Sequence, residues 1–381
     1  MILKALKFSD NFILGKWSIK SGKAEDKYVF FENINLIVGR NASGKTRLID
    51  AIRGISDLLE SGLEYASKMM NVSFEVIFED GKDEIKYYLE FDYLQSIVEE
   101  NLYFNKVQKL DRSAGQLYYE KLGQFVEFET DDEFLAISRR DNIQQPFFTI
   151  LHNWGKNLAH YSFGGDMGRK KLIKSINNES IVITDFKNSN KVGNIYHQGK
   201  KEFGDTFEEI IIEDMKRIEY YLTSISYNYK SDFQHFTVQE SDLPDKTYFE
   251  RMSQGMARAF SLLVQLNYSL MAKIPSCILI DDIGEGLDYE RSRSLIELII
   301  KKVEGSNIQL FMTTNDRFVM NSVPLKYWSV IHREGNKSVF YNYQNSQKTF
   351  DDFAFTGLNN FDFFATDFYR MGFEEFIETA Q

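Results

Sequence analysis

The 381-residue sequence is poor in the two side chains that most often build disulfides and zinc sites. It contains one cysteine, Cys277, and five histidines that are scattered along the chain. A single thiol cannot form an internal disulfide, and the scattered histidines suggest neither a zinc cage nor another metal site. Because Cys277 lies among apolar residues, we expect it to be a buried core thiol.

Long apolar runs are also missing. Lys4, Lys7 and Asp10 break the apolar stretch at the N-terminus, so it does not resemble a signal peptide, and no run reaches the length of a membrane span. We therefore expect a globular, cytoplasmic protein with no membrane association. The length allows two or three domains, and 43% hydrophobic residues suffice to fill their cores.

The chain has no overall excess of positive charge. Its formal net charge of −11 at pH 7 argues against a broad cationic surface for nucleic acid. Basic clusters occur at residues 169–171 with Lys174, and at Lys200 with Lys201, and a solvated surface explains them more simply. Nucleic-acid binding stays open, but the charge does not support it.

The most informative segment is a glycine loop that matches the phosphate-binding pattern in full. In such a loop the glycines let backbone N–H groups wrap the phosphates, the lysine reaches the β and γ phosphates, and the hydroxyl of the last residue holds Mg²⁺. The sequence therefore predicts that ATP is bound here with Mg²⁺. The loop consists of Gly39, Arg40, Asn41, Ala42, Ser43, Gly44, Lys45 and Thr46.

The surroundings of the loop support this interpretation. Residues 34–38 form an apolar stretch typical of a buried strand, and after Thr46 the apolar residues recur every three or four positions, which predicts a helix. The N-terminus of such a helix adds partial positive charge to an anion site. An ordinary glycine turn between two core elements is the alternative. The predicted apolar face of the helix comprises Leu48, Ile52, Ile55 and Leu59.

A second candidate segment lies far downstream. Residues 277–280 form an apolar strand that ends in Asp281 and Asp282. A carboxylate in that position helps to hold Mg²⁺ in P-loop ATPases, and we assign this role to Asp281. The next carboxylate, Asp282, is then placed to orient or deprotonate the attacking water. Acidic residues are common after strands, so the assignment depends on the glycine loop.

A third segment contains Ser253 and Gly255 at the start of a predicted helix. A serine and a glycine there offer a hydroxyl and unhindered N–H groups to an anion. The structural alternative is that Ser253 is an ordinary helix cap. Taken together, the three segments resemble the ABC-type ATPase heads of the SMC and RecF class and the bacterial AAA-family ATPases related to them. Residues 39–46 resemble the Walker A loop, 253–255 the signature motif, and 278–281 Walker B.

The resemblance extends to three further positions. Asp282 falls on the catalytic glutamate of the family, Asp288 falls in its D-loop, and Asn315 stands where a switch histidine is expected. Aspartate is one methylene shorter than glutamate, and asparagine cannot titrate near neutral pH as histidine does. The resemblance implies an ATPase, and these two departures from the family pattern predict slow hydrolysis that suits a sensor or timer.

The fold class implied by the resemblance is α/β. It is a P-loop NTPase head with a RecA-like parallel sheet core, an antiparallel β subdomain and a mixed, mainly helical insertion. Alternating apolar residues predict a hairpin in the β subdomain, and the absence of sustained heptads argues against a long coiled coil. We predict an N-terminal ATPase lobe over residues 1–100, the insertion over 101–244, a C-terminal ATPase lobe over 245–340 and an acidic, aromatic tail over 341–381.

Several elements can be placed within these regions. The hairpin covers residues 72–78 and 85–91, and closing strands are predicted at 328–333 and 339–343. Helices are predicted near 147–162 and 205–224. The tail is expected to pack against the insertion rather than to dock a partner. We expect no room after Asp288 for the Toprim nuclease domain of OLD-family relatives.

The resemblance also implies an assembly. In such heads, ATP on the Walker A loop of one subunit is completed by the signature motif of the other. We therefore expect a head-to-tail homodimer in which Lys45 and Thr46 act in cis, Ser253 and Gly255 act in trans, and Asp288 communicates across the interface. The predicted role is a switch that senses nucleic acid or a partner and controls an effector encoded nearby, in antiphage defence or genome maintenance.

Two other functions stay open. The first is a regulatory scaffold that binds ATP with negligible turnover and holds a partner protein or toxin. The second is a monomeric nucleotide or small-molecule kinase, which would share the phosphate loop but leave residues 253–255 and 286–288 unexplained. The resemblance favours the dimerising ATPase over both.

Overall fold

The computed structural model describes residues 1–11, 16–62, 71–92, 94, 96–165, 173–174, 192–228, 233–274 and 277–373. The strands are β1 (Ile2–Asp10), β2 (Trp17–Ser21), β3 (Val29–Phe30), β4 (Ile34–Gly39), β5 (Val72–Asp80), β6 (Asp83–Phe91), β7 (Ile97–Phe104), β8 (Val107–Asp111), β9 (Gln116–Tyr119), β10 (Gln124–Glu127), β11 (Leu158–Ser162), β12 (Ile173–Lys174), β13 (Leu222–Asn228), β14 (Phe233–Glu240), β15 (Thr247–Tyr248), β16 (Cys277–Asp281), β17 (Gln309–Thr314), β18 (Trp328–Glu334) and β19 (Lys337–Asn342). The helices are α1 (Lys45–Ser61), α2 (Pro146–Asn157), α3 (Val192–Phe203), α4 (Asp205–Arg217), α5 (Gln254–Ala272), α6 (Tyr289–Val303), α7 (Arg317–Ser322), α8 (Tyr343–Phe353) and α9 (Asn360–Ala365).

The chain forms two compact units. The first contains Met1–Leu158 and Pro324–Gln381, and the second contains Ala159–Val323. The cut between Leu158 and Ala159 divides the segment that we predicted as one insertion. The four-part division of the chain stays a prediction.

The first unit is organised around a mixed sheet. Its strands follow the order β10, β9, β8, β7, β6, β5, β1, β2, β19, β18 and β4, with β3 added on β1. The strands from β10 to β2 are antiparallel neighbours, whereas β19 runs parallel to β2 and β18 parallel to β4. The predicted hairpin is confirmed as β5 and β6, and the predicted closing strands are confirmed as β18 and β19.

The helix after the glycine loop is also confirmed. Helix α1 buries the apolar face read from the sequence and packs against α2. The two helices approach closely at Gly155, where an added Cβ would lie 2.6 Å from the carbonyl oxygen of Ser56, and the Ser56 hydroxyl donates to the Gly155 carbonyl at 2.8 Å. The first unit thus joins the glycine loop to a closely packed helix pair.

The tail packs on the closing strands. The ring centroids of Phe363 in α9 and Trp328 lie 6.4 Å apart, and those of Tyr369 and Tyr341 lie 5.3 Å apart. Phe350 and Phe353 of α8 complete this aromatic cluster with Phe363. Among the described residues, the tail therefore packs on the closing hairpin formed by β18 and β19, and not on the insertion as we predicted.

The second unit contains two sheets and a helical layer. Strands β17, β16 and β11 lie side by side, with β16 and β17 parallel, and a separate antiparallel sheet has the order β12, β14, β13 with β15 on β14. Helix α5 packs against α3 and α4 and is buried over most of its length. Cys277 at the start of β16 is fully buried, as expected, and burial raises the pKa of its thiol.

Two predicted helices extend too far. The helix over 147–162 ends at Asn157, and the helix over 205–224 ends at Arg217. The residues that follow form β11 and β13, because pairing in a sheet overrides a local helical pattern. Strands β8 to β10 also fall in the region predicted as the insertion, which is mixed in structure.

The basic clusters and the possible membrane spans can be compared with the structure. Residues 169–171, the main part of one basic cluster, lie outside the described residues, whereas Lys200 and Lys201 lie in the last turn of α3. Within the part of the chain that the structure describes, no helix has both the length and the apolar character needed to cross a bilayer.

Candidate nucleotide-binding and catalytic sites

The glycine loop connects a fully buried strand to a helix. Strand β4 ends at Gly39, where an added Cβ would lie 2.5 Å from the Ser43 Oγ and 2.7 Å from the Ile331 carbonyl oxygen. Gly44 has a φ of +112°, and an added Cβ would lie 2.3 Å from the Ser338 Oγ. Both positions require glycine, because a side chain would force the loop to move.

The Lys45 side chain lies back over the loop. Lys45 is only 7% exposed, and its Nζ donates to the carbonyl oxygens of Gly39 at 2.8 Å and Arg40 at 3.3 Å. Its ammonium group is therefore held directly over the turn that would surround a phosphate. A cation in this position can transfer its donors to phosphate oxygens without a large movement.

The N-terminus of α1 has no side-chain cap and no acidic residue in its first turn. Its backbone donors and partial positive charge are therefore suited to an anion. Ser43 is 4% exposed, and its Oγ has no hydrogen-bond partner within the described part of the chain. Asn41, Ala42 and Thr46 are exposed at the loop surface. The loop thus fits the phosphates of a nucleotide, and the Thr46 hydroxyl is available to Mg²⁺.

The closing hairpin of β18 and β19 stabilises the glycine loop through hydrogen bonds to its backbone. Ser338 Oγ accepts a hydrogen bond from Trp17 Nε1 at 2.9 Å and donates to the Ser43 carbonyl at 2.7 Å. Arg333 Nη1 donates to the Ala42 carbonyl at 3.2 Å. Sequence reasoning missed these contacts, because nothing near Ser338 or Arg333 in the sequence indicates where the hairpin returns to the loop.

We expect Gly44→Ala to weaken nucleotide binding by about tenfold or more, because the new methyl would meet Ser338 in a backbone conformation unfavourable to alanine. Binding of a fluorescent ATP analogue provides the measurement. Gly81→Ala is the matched control, since Gly81 also has a positive φ, of +67°, but its added Cβ would meet nothing within 4 Å. Equal affinities of the two variants would contradict this account of the loop.

The second unit holds the candidate carboxylates. Asp281 ends β16, and Thr313 lies near the end of the parallel neighbour β17. The Thr313 hydroxyl donates to Asp281 Oδ1 and accepts from the backbone N–H of Asp282 at 2.9 Å. Sequence reasoning also missed Thr313, whose role depends on the pairing of two strands. The hydroxyl fixes the orientation of the carboxylate that we assign to Mg²⁺.

The chemistry of this carboxylate fits a nucleotide-bound cation. Among the described residues there is no group of three or more His, Cys, Asp or Glu side chains that could hold a metal ion by themselves. Mg²⁺ is commonly bound by one or two carboxylates together with phosphate oxygens and water. Asp281 would therefore hold Mg²⁺ only together with a bound nucleotide.

Asp282 has an unusual backbone conformation. Its φ is +54°, in the left-handed region that costs a non-glycine residue about 1 kcal/mol. The conformation is held by Thr313 on the N–H side and by a turn in which the Glu285 N–H donates to the Asp282 carbonyl at 3.3 Å. Such strained residues cluster at functional sites, which agrees with the role that we assign to this carboxylate.

We expect Thr313→Val to raise the Mg²⁺ concentration that half-saturates nucleotide binding by about tenfold, because valine keeps the shape but loses the hydroxyl that orients Asp281. Titrating Mg²⁺ against a fluorescent ATP analogue measures this effect. Thr313→Ser keeps the hydroxyl and should remain within about twofold of the wild type. An unchanged Mg²⁺ requirement in the valine variant would show that Thr313 has no part in metal binding.

The candidate signature residues lie at the start of α5. Ser253 caps this helix by accepting from the Met256 N–H at 3.3 Å, so the simple cap is present, and the residue is also exposed. An added Cβ on Gly255 would lie 2.5 Å from the Gly286 carbonyl oxygen. The structure therefore brings the signature segment against the turn that leads to Asp288.

Asp288 caps α6 at the end of this turn. It accepts from the Arg291 N–H at 3.0 Å and pairs with the Arg291 guanidinium at 2.5 Å. The backbone hydrogen bond from Arg291 is the main cause that lowers the pKa of the Asp288 carboxyl. Arg291 also lies over the ring of Tyr220 at 4.6 Å. Asp288 and Ser253 are both exposed, at the starts of α6 and α5 respectively.

Asn315 follows β17 and is exposed. The next residue, Asp316, caps α7 by accepting from the Phe318 N–H at 2.7 Å. The second unit therefore contains the candidate carboxylates, the signature segment, the D-loop residue and the switch position. The functions of these residues stay predictions.

Two solved structures of SMC heads are similar to this chain over most of their length. One is described as the SmcHead bound to the C-winged helix domain of ScpA, with 13% identity, a TM-score of 0.52, and coverage of 89% of this chain and 97% of that one. The other is a Smc head domain with an extended coiled coil, bound to the C-terminal domain of ScpA from Pyrococcus furiosus. It has 13% identity, a TM-score of 0.52, and coverage of 92% of this chain and 99% of that one. These likenesses show that the fold is that of a P-loop ATPase head, as predicted.

No curated protein matches the chain. Residues 34–321, more than half of the sequence, match the family described as "AAA domain, putative AbiEii toxin, Type IV TA system". The matched range begins with β4 before the glycine loop and ends within α7, after the switch position. The chain therefore belongs to this AAA family, and its fold is that of the SMC heads.

Proposed function

We propose that the protein binds ATP with Mg²⁺, dimerises on it and hydrolyses it. The observation that carries this proposal is the glycine loop, in which the buried Lys45 ammonium lies over a turn whose helix has no cap of its own. Each chain supplies one such loop and one exposed signature serine. Two copies related by a twofold axis would form two equivalent sites.

The residues take separate roles in this proposal. Lys45, with the backbone N–H groups from Asn41 to Thr46, binds the phosphates and orients the γ-phosphate. Asp281 and Thr46 would hold Mg²⁺, which would neutralise charge on the phosphates. Asp282 orients the attacking water and accepts its proton.

The second copy supplies the remaining groups. Ser253 and the Gly255 N–H donate to the γ-phosphate in trans, and Asp288 contacts the opposite subunit. Ser253 is exposed at the start of α5, so a second copy can reach it, which is what this assignment requires. Asn315 contacts the γ-phosphate or the water through its amide, without a change of charge.

The biological role follows from the family and the fold. We infer a switch that passes its nucleotide state to a partner protein, in antiphage defence or genome maintenance in the cytoplasm. The toxin and toxin–antitoxin terms in the family description support a defence context. The related SMC heads are bound to ScpA domains, which supports a protein partner. The charge of −11 makes a protein a better candidate than nucleic acid.

A regulatory scaffold with negligible turnover is the second candidate. The short side chain of Asp282 and the non-titrating amide of Asn315 favour it, because both weaken the usual means of activating and sensing water. Steady-state phosphate release separates the two functions. Turnover that Lys45→Ala abolishes supports the ATPase, and partner binding that requires ATP without phosphate release supports the scaffold.

Dimerisation is tested by measuring molecular mass with and without a non-hydrolysable ATP analogue. We expect the wild type to double its mass with the analogue, and Ser253→Arg to remain a monomer because the bulky cation occupies the face that receives the partner. Ser241→Arg, at an exposed turn of the same unit, is the control and should dimerise normally. A wild type that stays monomeric at saturating analogue would refute the proposal.

A further inference from the structure

Arg258 is a cation held almost completely out of water. It is 1% exposed and lies in the second turn of α5, after the signature segment. Removing a guanidinium from water costs several kcal/mol unless it is well paired. The Glu285 carboxylate is 3.9 Å away and 56% exposed, so it compensates this cost only weakly.

Two nitrogens of the guanidinium donate instead to backbone carbonyls of two separate loops. Arg258 Nη1 donates to the Glu285 carbonyl at 2.7 Å. Its Nη2 donates to the carbonyls of Gly164 at 3.1 Å and Gly165 at 3.3 Å. The planar fork of arginine allows one side chain to hold both loops at fixed positions.

Both loops lie against the candidate catalytic residues. The Phe163 N–H donates to the Asp281 carbonyl at 2.9 Å, and an added Cβ on Gly164 would lie 2.7 Å from the Asp282 Cβ. The Glu285 carbonyl belongs to the turn between Asp282 and Asp288. Arg258 therefore contacts the backbone of both loops that lie next to Asp282, the residue that we assign to water activation.

The start of α5 and the turn from Asp282 to Asp288 pack against each other without a gap. An added Cβ on Gly286 would lie 3.0 Å from Arg258 Nη1, and one on Gly255 would lie 2.5 Å from the Gly286 carbonyl oxygen. The first turns of α5 and the Asp282–Asp288 turn are thus in direct backbone contact. Close packing of this kind transmits a displacement of one to the other.

We propose that Arg258 is a positioning residue that couples the signature segment to the hydrolytic residues of the same chain. This inference rests on the proposed function. Ser253 serves ATP bound to the partner, whereas Asp282 serves ATP bound to its own chain. When Ser253 binds the partner's γ-phosphate, α5 moves together with Arg258. The two loops held by Arg258 then fix the position of the Asp282 carboxylate. Arg258 thereby links the two sites of the dimer.

The test compares Arg258→Met and Arg258→Lys with the wild type. We expect both variants to bind a fluorescent ATP analogue within about twofold of the wild-type affinity, because the glycine loop is intact. Arg258→Met should lower kcat by about thirtyfold and reduce the Hill coefficient for ATP from above one to one. Arg258→Lys keeps the charge but cannot hold both loops, so its kcat should be intermediate while its Hill coefficient is also close to one.

A control separates coupling from stability. Lys302 Nζ contacts Asp214 at 2.8 Å and Asn267 of α5 at 2.9 Å, so Lys302→Met removes a part-buried polar contact far from the signature segment. It should lower the melting temperature while leaving the Hill coefficient at the wild-type value. The lysine variant preserves the test if Arg258→Met does not fold.

The outcomes distinguish the two proposals. Retention of wild-type kcat and Hill coefficient by Arg258→Lys would overturn the coupling role and leave the ATPase intact. A wild type that hydrolyses ATP with a Hill coefficient of one would also overturn the coupling role and leave the ATPase intact. A Hill coefficient that falls equally in Lys302→Met would reduce Arg258 to a structural residue. A wild type without ATP-dependent dimerisation or turnover would overturn the proposed function and this inference together.

Discussion

Lys45→Ala is expected to weaken ATP binding by at least about a hundredfold, or about 3 kcal/mol. The wild-type ammonium is buried over the loop and held by the Gly39 and Arg40 carbonyls, so it is already positioned for the phosphates. Alanine removes the charge and leaves those carbonyls without this donor. Calorimetric titration with ATP and Mg²⁺ provides the measurement.

The control for this variant is thermal stability without nucleotide. Because the lysine is buried, some loss of stability is expected, and binding must be compared at a temperature at which both proteins are folded. Lys106→Ala changes an exposed lysine in a turn of the same unit and should bind ATP like the wild type. Undiminished binding by folded Lys45→Ala would place the nucleotide elsewhere on the molecule.

Asp282→Asn is expected to lower kcat by about 100-fold to 1,000-fold while leaving ATP affinity within about twofold. Asparagine has the shape of aspartate and also tolerates the left-handed conformation at this position, with its φ of +54°, but it cannot accept a proton. The backbone contact with Thr313 is retained. Measurement of kcat and of the dimer fraction with ATP should show slow turnover and an accumulated dimer.

Asp282→Glu provides a second comparison at the same residue. If hydrolysis is slow because the carboxylate is one methylene too far from the water, the glutamate variant should turn over faster than the wild type. An Asp282→Asn variant with wild-type kcat would show that another group activates the water. In that event, the strained turn around Asp282 would have a purely structural role.

The sequence predicted those features that depend on neighbouring residues. Strand β4, the glycine loop and α1 are contiguous, and their apolar periodicity changes at Thr46 as it does in the structure. Strand β16 is a short apolar run that ends in carboxylates, so it was predicted too. In these segments, local pattern and tertiary structure favour the same conformation.

The features that were missed depend on distant pairing. Ser338 supports the loop only because β19 returns beside β18 and β2, and Thr313 reaches Asp281 only because β16 and β17 are parallel neighbours. Arg258 reads in the sequence as an ordinary helical arginine, although it is buried against two loops. A single sequence contains no signal for such contacts, since each is fixed by the packing of separate elements.

The same reason explains the two helices that ended early. The segments after Asn157 and Arg217 carry apolar residues at spacings compatible with either a helix or a strand. Their conformation is decided by available sheet partners, which are β16 for β11 and β14 for β13. Periodicity over so short a run cannot separate the two.

The central claim is that two copies complete each ATP site together, and mixing two inactive variants tests it most directly. Lys45→Ala lacks the phosphate-binding lysine but keeps Ser253, whereas Ser253→Ala keeps the lysine but lacks the hydroxyl that completes the partner's site. A mixed dimer has one intact site of its two, so an equimolar mixture should recover about a quarter of the wild-type phosphate release if the subunits pair at random, and up to about half if only mixed dimers form. A mixture that stays as inactive as its components, although mixed dimers are detected with ATP, would contradict the claim.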